Sequence, residues 1–485
     1  MMREDYIKLI KEYLKVRPEY AQNTEELKRH VMAVGATEEE FNLALSGATL
    51  PPKKEEKHIG FKKLPNIKLN KRWIVATAVI VLLIAIPSFI KISIGKDQIN
   101  ISPAQETTGT TSITLKTNAV PIVYANLKPI DISKTFSVPS NNIKLTITGS
   151  PKKEVLGFFP YWMIPEQDKI NLQTVTSISL FGLETDSQGN IVTKANNDQM
   201  DPGWAMWKNP EVDKLIKRAK LQNVKVYLTL KSFNNDNIEK LSLSDTSQKA
   251  FISNAIYLLN SKNLDGINID FEYVGEPSEG VRSGFTRLIT NLNAEMRRQF
   301  PNTSLTVDTY LVSGSEKDLF DIPVLAPNID AFVIMGYDMH TPLGNPGPVS
   351  AMGGDTNIIG YVQNYLEQVP PSKLILAVPY YGYDWLETSD ASPSAATTQI
   401  LPYAVLEDNS KNIQLSWNDT SQTPFYTYRD TDGQQHVVHF DNVRSLGIKY
   451  DFINKKALKG VGIWALGYDG MDTELQKLLV DKFFN

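Results

Sequence analysis

The chain has no cysteine in its 485 residues. That excludes disulfides, a thiolate nucleophile and any zinc site built on cysteine, and it fits either side of a membrane. Histidine is scarce, with five residues. Only His436 and His439 lie close together, with Asp441 the one carboxylate beside them. Hairpin or surface positions are expected for them rather than a metal centre. No glycine-rich phosphate loop is present, and no serine sits in a nucleophile elbow. No metal or cofactor is therefore expected. A net charge of −4 lacks the basic excess that advertises nucleic-acid binding. No motif implies a protein partner.

What is present is organised around residues 264–273, Leu-Asp-Gly-Ile-Asn-Ile-Asp-Phe-Glu-Tyr. Read as a strand, this stretch has period two. Ile267, Ile269 and Phe271 take one face, and Asn268, Asp270 and Glu272 take the other. An amphipathic helix over 247–263 runs directly into it. Helix then strand at this spacing predicts a parallel α/β unit, whose strands are buried on both faces. A buried acidic row is costly unless its members are paired or do chemistry.

Residues 1–50 read as a small helical module, with Tyr6, Leu9, Ile10 and Leu14 on one face. Residues 51–72 are a basic linker. An uncharged apolar run starts at Trp73 and continues for about eighteen residues, near the lower limit for spanning a bilayer. With Lys91 and Lys96 at the far end, it predicts a transmembrane signal-anchor helix over 73–95. The basic flank puts the N-terminus in the cytoplasm and everything beyond Lys96 outside, as a single-pass cell-membrane protein. Residues 96–152 read as a Ser/Thr-rich spacer.

From 153 to 485 strands alternate with helices. Strands are expected at 155–161, 175–183, 224–230, 265–273, 304–311, 331–337, 374–381 and 460–466, with helices at 212–221 and 285–300 among them. Eight parallel strands fit an α/β (β/α)8 TIM barrel, with its site at the strands' C-terminal ends. An insertion over 386–450 reads as a small α+β element, with a hairpin turning at Asp432-Gly433.

Asp265-Gly266-Ile267-Asn268-Ile269-Asp270-Phe271-Glu272 resembles the Asp-Gly-x-Asp-x-Asp-x-Glu signature of glycoside hydrolase family 18, with one departure, Asn268. Its wording is closest to the spore-cortex branch of that family. Gly157-Phe158-Phe159-Pro160-Tyr161-Trp162, Met335-Gly336-Tyr337-Asp338, Pro379-Tyr380-Tyr381-Gly382 and Gly462-Ile463-Trp464-Ala465 are similar to its first, sixth, seventh and eighth strands. Cleaving a glycosidic bond requires an acid for the departing oxygen, and Glu272 is the candidate, with Asp270 the neighbouring anion that raises its pKa. The resemblance implies the rest. The substrate's own N-acetyl oxygen attacks, with retention. Asp270 orients the acetamido N–H, Tyr337 bonds its oxygen and Trp464 stacks under the sugar. Tyr161, Met335, Asp338, Asp265 and Asn268 are further substrate-binding candidates. Asn268 is expected to donate its amide to Asp270.

Two functions are open at this point. One is a membrane-anchored extracytoplasmic glycosidase on β-1,4-linked N-acetylglucosamine polymers, with peptidoglycan favoured over chitin or glycoprotein glycans. The other is a non-catalytic carbohydrate-binding protein on the same barrel.

Overall fold

The computed structural model describes residues 149–485 apart from 196–198, 315–316, 343, 387–395, 412, 471 and 485, with residues 145 and 147 and the strand backbone at 90–95 and 98–103. The expected N-terminal module, the basic linker, the apolar run as far as residue 89 and most of the spacer lie outside the described residues.

One boundary is corrected. The expected membrane helix does not extend through 90–95. Ile90–Gly95 forms strand β1, antiparallel to β2, Gln98–Pro103, with Ile92 opposite Ile101. The reason is in the pattern. Isoleucine recurs at 90, 92, 94, 99 and 101 with polar residues or glycine between, which is strand periodicity in β-branched residues. No helix among the described residues is long and apolar enough to cross a membrane.

Seven parallel strands follow in chain order: β3 (Glu154–Pro160), β4 (Ser177–Glu184), β5 (Lys225–Ser232), β6 (Gly266–Phe271), β7 (Ser304–Tyr310), β8 (Ala331–Met335) and β9 (Leu374–Pro379). An insertion then carries β10 (Tyr381–Leu386), β11 (Ala396–Pro402), β12 (Ser416–Asn418), β13 (Thr423–Arg429) and β14 (Gln435–His439). The eighth parallel strand, β15 (Gly460–Trp464), pairs with both β9 and β3 and closes the barrel. The insertion is an antiparallel sheet in the order β11-β10-β14-β13-β12, and Gly433 turns its β13–β14 hairpin at φ 78°.

The barrel sorts the two faces of β6. Phe271 points outward and meets Phe251 and Phe285 at ring-centroid distances of 5.7 and 5.8 Å. Those rings belong to the flanking helices Asp245–Ser261 and Glu279–Gln299. The helices start where the sequence supplies caps, Ser244 and Ser278, whose side chains accept from the backbone N–H groups of Ser247 and Val281. A buried phenylalanine of this kind is worth about 3–5 kcal/mol against truncation to alanine. With Ile267, Ile269 and Phe271 packed outward, period two leaves Asn268 and Asp270 no direction but the barrel interior.

Candidate active site

At the C-terminal end of the barrel a cavity of about 250 Å³ opens over β6. Its walls are aromatic, Phe158, Phe181, Phe233 and Trp464, and its carboxyl and phenol groups are Asp270, Glu272, Asp308, Tyr310, Tyr337 and Asp338. Trp464 ends β15 and is fixed by three other rings. Phe181 meets it edge-on at 4.6 Å, Phe158 lies at 5.8 Å and Trp162 at 6.4 Å. Trp162 donates its indole N–H to the Tyr468 hydroxyl at 3.0 Å. The tryptophan face is thereby pre-positioned as an apolar platform.

Strand register builds the charged floor. Glu184 on β4 pairs with Lys231 on β5, and Lys231 pairs with Asp270 on β6. Asn268 pairs with Thr306 on β7, so Asp270 and Asp308, each two residues further on, fall side by side. Lys231 forms an ion pair with Glu184 and lies 4.6 Å from the centre of the Phe233 ring. One level of the barrel therefore carries anion, cation and two carboxyl groups in a row.

The electrostatics follow from burial and that row. Burial drives Asp270 up to about 7, with Lys231 pulling it down and Glu184 pushing it up. Glu272 is half-buried in the open cavity. Its carboxyl is held well above the ordinary range, by desolvation first, then by Asp270 and Asp338, against Lys231. Asp308 is raised in the same way by burial and by Asp270, opposed by the amide of Asn268. Burial likewise holds the Tyr310 and Tyr337 phenols well above their usual value, so both remain hydroxyl donors. A protonated carboxyl beside an ionisable one, between hydroxyl donors and over an aromatic platform, is equipped to protonate a leaving oxygen.

Of the residues singled out in the sequence, Asp270, Glu272, Met335, Tyr337, Asp338 and Trp464 line this cavity. Three others do not. Asp265 sits at the opposite end of β6, where its carboxylate accepts from the Val226 N–H at 2.9 Å and pins strand register. Seven residue steps, about 23 Å at the rise of a strand, separate it from Glu272. Tyr161 lies just past β3, in the turn Tyr161–Lys169, with its ring edge-on to Trp162 at 4.7 Å. It braces the neighbour of the platform. Asn268 is fully buried beneath the cavity, and its expected bond to Asp270 is not made. Its amide donates to Asp308 Oδ2 at 2.7 Å and to Thr229 at 3.4 Å, while its carbonyl accepts from the Thr306 hydroxyl at 2.7 Å. Side chains two apart on one strand stand about 6–7 Å from each other, whereas the adjacent strand is only about 4.8 Å away. The cross-strand partner wins on distance.

Asp338 is held in the left-handed region, φ 60°, and accepts the hydroxyls of Tyr381 and Tyr383 at 2.5 and 2.6 Å. Both tyrosines belong to β10, so the first strand of the insertion anchors a cavity carboxylate. His436 and His439 have separate surroundings. His436 bonds Asp384 at 2.8 Å, and His439 stacks on Phe425.

The chain's residues 154–469 match the model of the glycosyl hydrolases family 18. The chain belongs to that family. Among curated proteins it is 27% identical over 241 residues to the di-N-acetylchitobiase of Rattus norvegicus, covering 46% of this chain and 66% of the relative. It is 26% identical over 289 residues to the cortical fragment-lytic enzyme of Bacillus subtilis, covering 56% and 64%. The family 18 chain thus spans slightly under two thirds of these relatives. Among solved structures, the spore cortex-lytic enzyme of Bacillus cereus shares the fold at a TM-score of 0.57 and 20% identity, over 69% of this chain and 75% of that one. A family 18 chitinase of Cycas revoluta bound to (GlcNAc)3 does so at 0.58 and 20%, over 68% and 99%.

Residues that sequence reading missed are Asp308, Tyr310, Lys231, Phe181 and Phe233. For two of them the signal was available. Thr306, Asp308 and Tyr310 alternate with Leu305, Val307 and Thr309 on β7. That is the same period-two polar row that exposed β6.

Proposed function

We propose that this protein is a retaining, substrate-assisted hydrolase of β-1,4-linked N-acetylglucosamine polymers, that peptidoglycan is its substrate and that it works outside the cell from a membrane anchor. The observation that carries the reading is Glu272, set in an aromatic-walled cavity beside Asp270, with its carboxyl pushed well above the ordinary range by desolvation and by Asp270. In this reading Glu272 protonates the glycosidic oxygen as the bond to the anomeric carbon breaks. The substrate's acetamido oxygen closes on that carbon from the opposite side, and Asp270 receives the acetamido N–H. Tyr337 donates to the acetamido oxygen, and Trp464 supports the sugar face. Water then opens the intermediate with Glu272, now a carboxylate, as the base. A binding-only role is disfavoured because the acid is present and its pKa is raised.

Peptidoglycan is supported by the similarity to the cortical fragment-lytic enzyme, and chitin-type or glycoprotein glycans by the similarity to di-N-acetylchitobiase. The anchor is the apolar run from Trp73, ending where β1 begins, with the basic linker on its cytoplasmic side. The test is digestion of purified peptidoglycan and chitin side by side, with mass spectrometry of the new reducing ends. New N-acetylglucosamine ends from peptidoglycan, absent with Glu272→Gln, are expected. The loss for that variant should reach about 10²–10⁴-fold, the usual worth of a general acid. Release from chitin alone would overturn the choice of polymer. No cleavage of any acetylated glycan would overturn the hydrolase reading.

A further inference from the structure

Two buried oxygens in the cavity floor have no hydrogen-bond partner, Asp270 Oδ1 and Asp308 Oδ1. They belong to carboxyl groups that strand register places next to each other on β6 and β7. In-register neighbours on adjacent strands stand about 4.8 Å apart at the backbone, close enough for their side chains to meet. Two carboxylates so placed in a dry site cannot both carry charge, and a carboxylate offers acceptors only. A single proton between the two oxygens removes the repulsion and satisfies both orphans.

The surroundings decide which residue keeps it. Lys231 is the register partner of Asp270 and lies on the side away from Asp308. Its ammonium favours charge on Asp270, and its ion-pair partner Glu184 on β4 opposes that more weakly. Asp308 has no cation among its influences. It faces Asp270 and Glu272 from β6, with the Asn268 amide on its other oxygen. Tyr310 on its own strand and Tyr337 and Asp338 beyond β8 complete the titratable groups around the pair. We infer that Asp308 is held as the neutral acid and donates its proton to Asp270 Oδ1, fixing Asp270 as the ionised group that faces the substrate.

Asp308 is thus a positioning residue acting through Asp270. It takes the place that the sequence alone assigned to Asn268. Asn268 acts one step further back, through its amide hydrogen bond to Asp308 Oδ2.

The inference rests on the hydrolase reading only for its kinetic consequence, and its test has an arm that needs no substrate. Asp308→Asn reproduces the neutral acid, because its amide can donate to Asp270 while its carbonyl accepts from Asn268. It cannot ionise. Asp308→Leu removes the donor. On a soluble N-acetylglucosamine oligomer, Asp308→Asn should keep kcat within about tenfold of wild type. Asp308→Leu should fall a further 10- to 100-fold or so, the factor that one hydrogen bond to a charged group represents. In the second arm both proteins carry Glu272→Gln, which removes the other protonated carboxyl. Infrared titration of the unliganded protein should then show a protonated-carboxyl band that outlasts the titration of Asp270 at about 7, and Asp308→Asn should abolish that high-pH band. An unchanged band in Asp308→Asn overturns the inference. So does an Asp308→Asn enzyme that is folded and as inactive as Asp308→Leu. Failure of the hydrolase reading would leave the wild type inactive and the infrared result intact.

Discussion

At the residue scale, Asn268 is the informative position. It departs from the family 18 signature, and in the structure its NH2 donates to Asp308 and Thr229 and its carbonyl accepts from Thr306, with no bond to Asp270. Asn268→Leu should therefore destabilise the fold by about 1–3 kcal/mol for each buried polar group left without a partner. A drop in the urea midpoint measures this, and an unchanged midpoint would remove Asn268 from the floor network. The acids around it make a second prediction. Asp270 is raised to about 7 in the native protein, against about 4 in an unfolded chain. Between those values the native state holds a proton that the unfolded state has released. The associated stability is present below about pH 4 and is lost as pH rises through about 7. Urea unfolding from pH 4 to 8 should show stability falling with pH, and Asp270→Asn should flatten that slope. Identical slopes for the two proteins would contradict the raised value.

At the element scale, the site depends on how closely β6 approaches its neighbours. Gly266 opens that strand, and a Cβ there would lie 2.5 Å from the Ser304 carbonyl oxygen of β7 and 2.6 Å from the Tyr227 ring of β5. The obstruction is partly backbone, so a rotamer change cannot relieve it. Gly266→Ala should cost about 1–3 kcal/mol by overpacking. Because the shift would separate β6 from β7, it should also move Asp270 away from Asp308. Thermal unfolding and the specific activity of the folded fraction should both fall. A variant with wild-type melting would mean that the β6–β7 spacing is not tight. The link from Asp338 to Tyr381 and Tyr383 is a second element-level device, through which the insertion's sheet holds one wall of the cavity.

At the scale of the whole molecule, the barrel occupies the C-terminal part of the chain, and the proposed anchor begins at Trp73. The proposed orientation rests on the eight basic residues between Lys53 and Arg72 on the N-terminal side of the apolar run. Protease added to intact cells should remove the barrel and leave the N-terminal 50 residues or so protected. Protection of the barrel would place the hydrolase on the other face of the membrane.

Much of this was legible in the sequence. Each of the eight barrel strands is marked by a short apolar or alternating run between turn or helix signals, because a barrel strand is a local pattern of period two that needs no knowledge of its partners. Glu272 and Asp270 were legible from the period-two row of β6, and Tyr337 and Trp464 from their resemblance to family 18 strand motifs; all four sit at or near strand ends that share one cavity. The sequence was misleading where a residue's partner lies on another strand. Asp265 and Asn268 belong to the same motif as Glu272, yet one is at the far end of the barrel and the other beneath its floor. The run at 90–95 looked like the tail of an apolar helix until its alternation paired it with 98–103. Asp308 is 38 residues beyond Asp270 in the chain. Composition and periodicity determined the barrel and the acidic face of β6 that carries Asp270 and Glu272. Only the tertiary structure decided the register that sets Lys231 on one side of Asp270 and Asp308 on the other. Register is a relation between strands, and it is fixed by closure of the barrel rather than by any single segment.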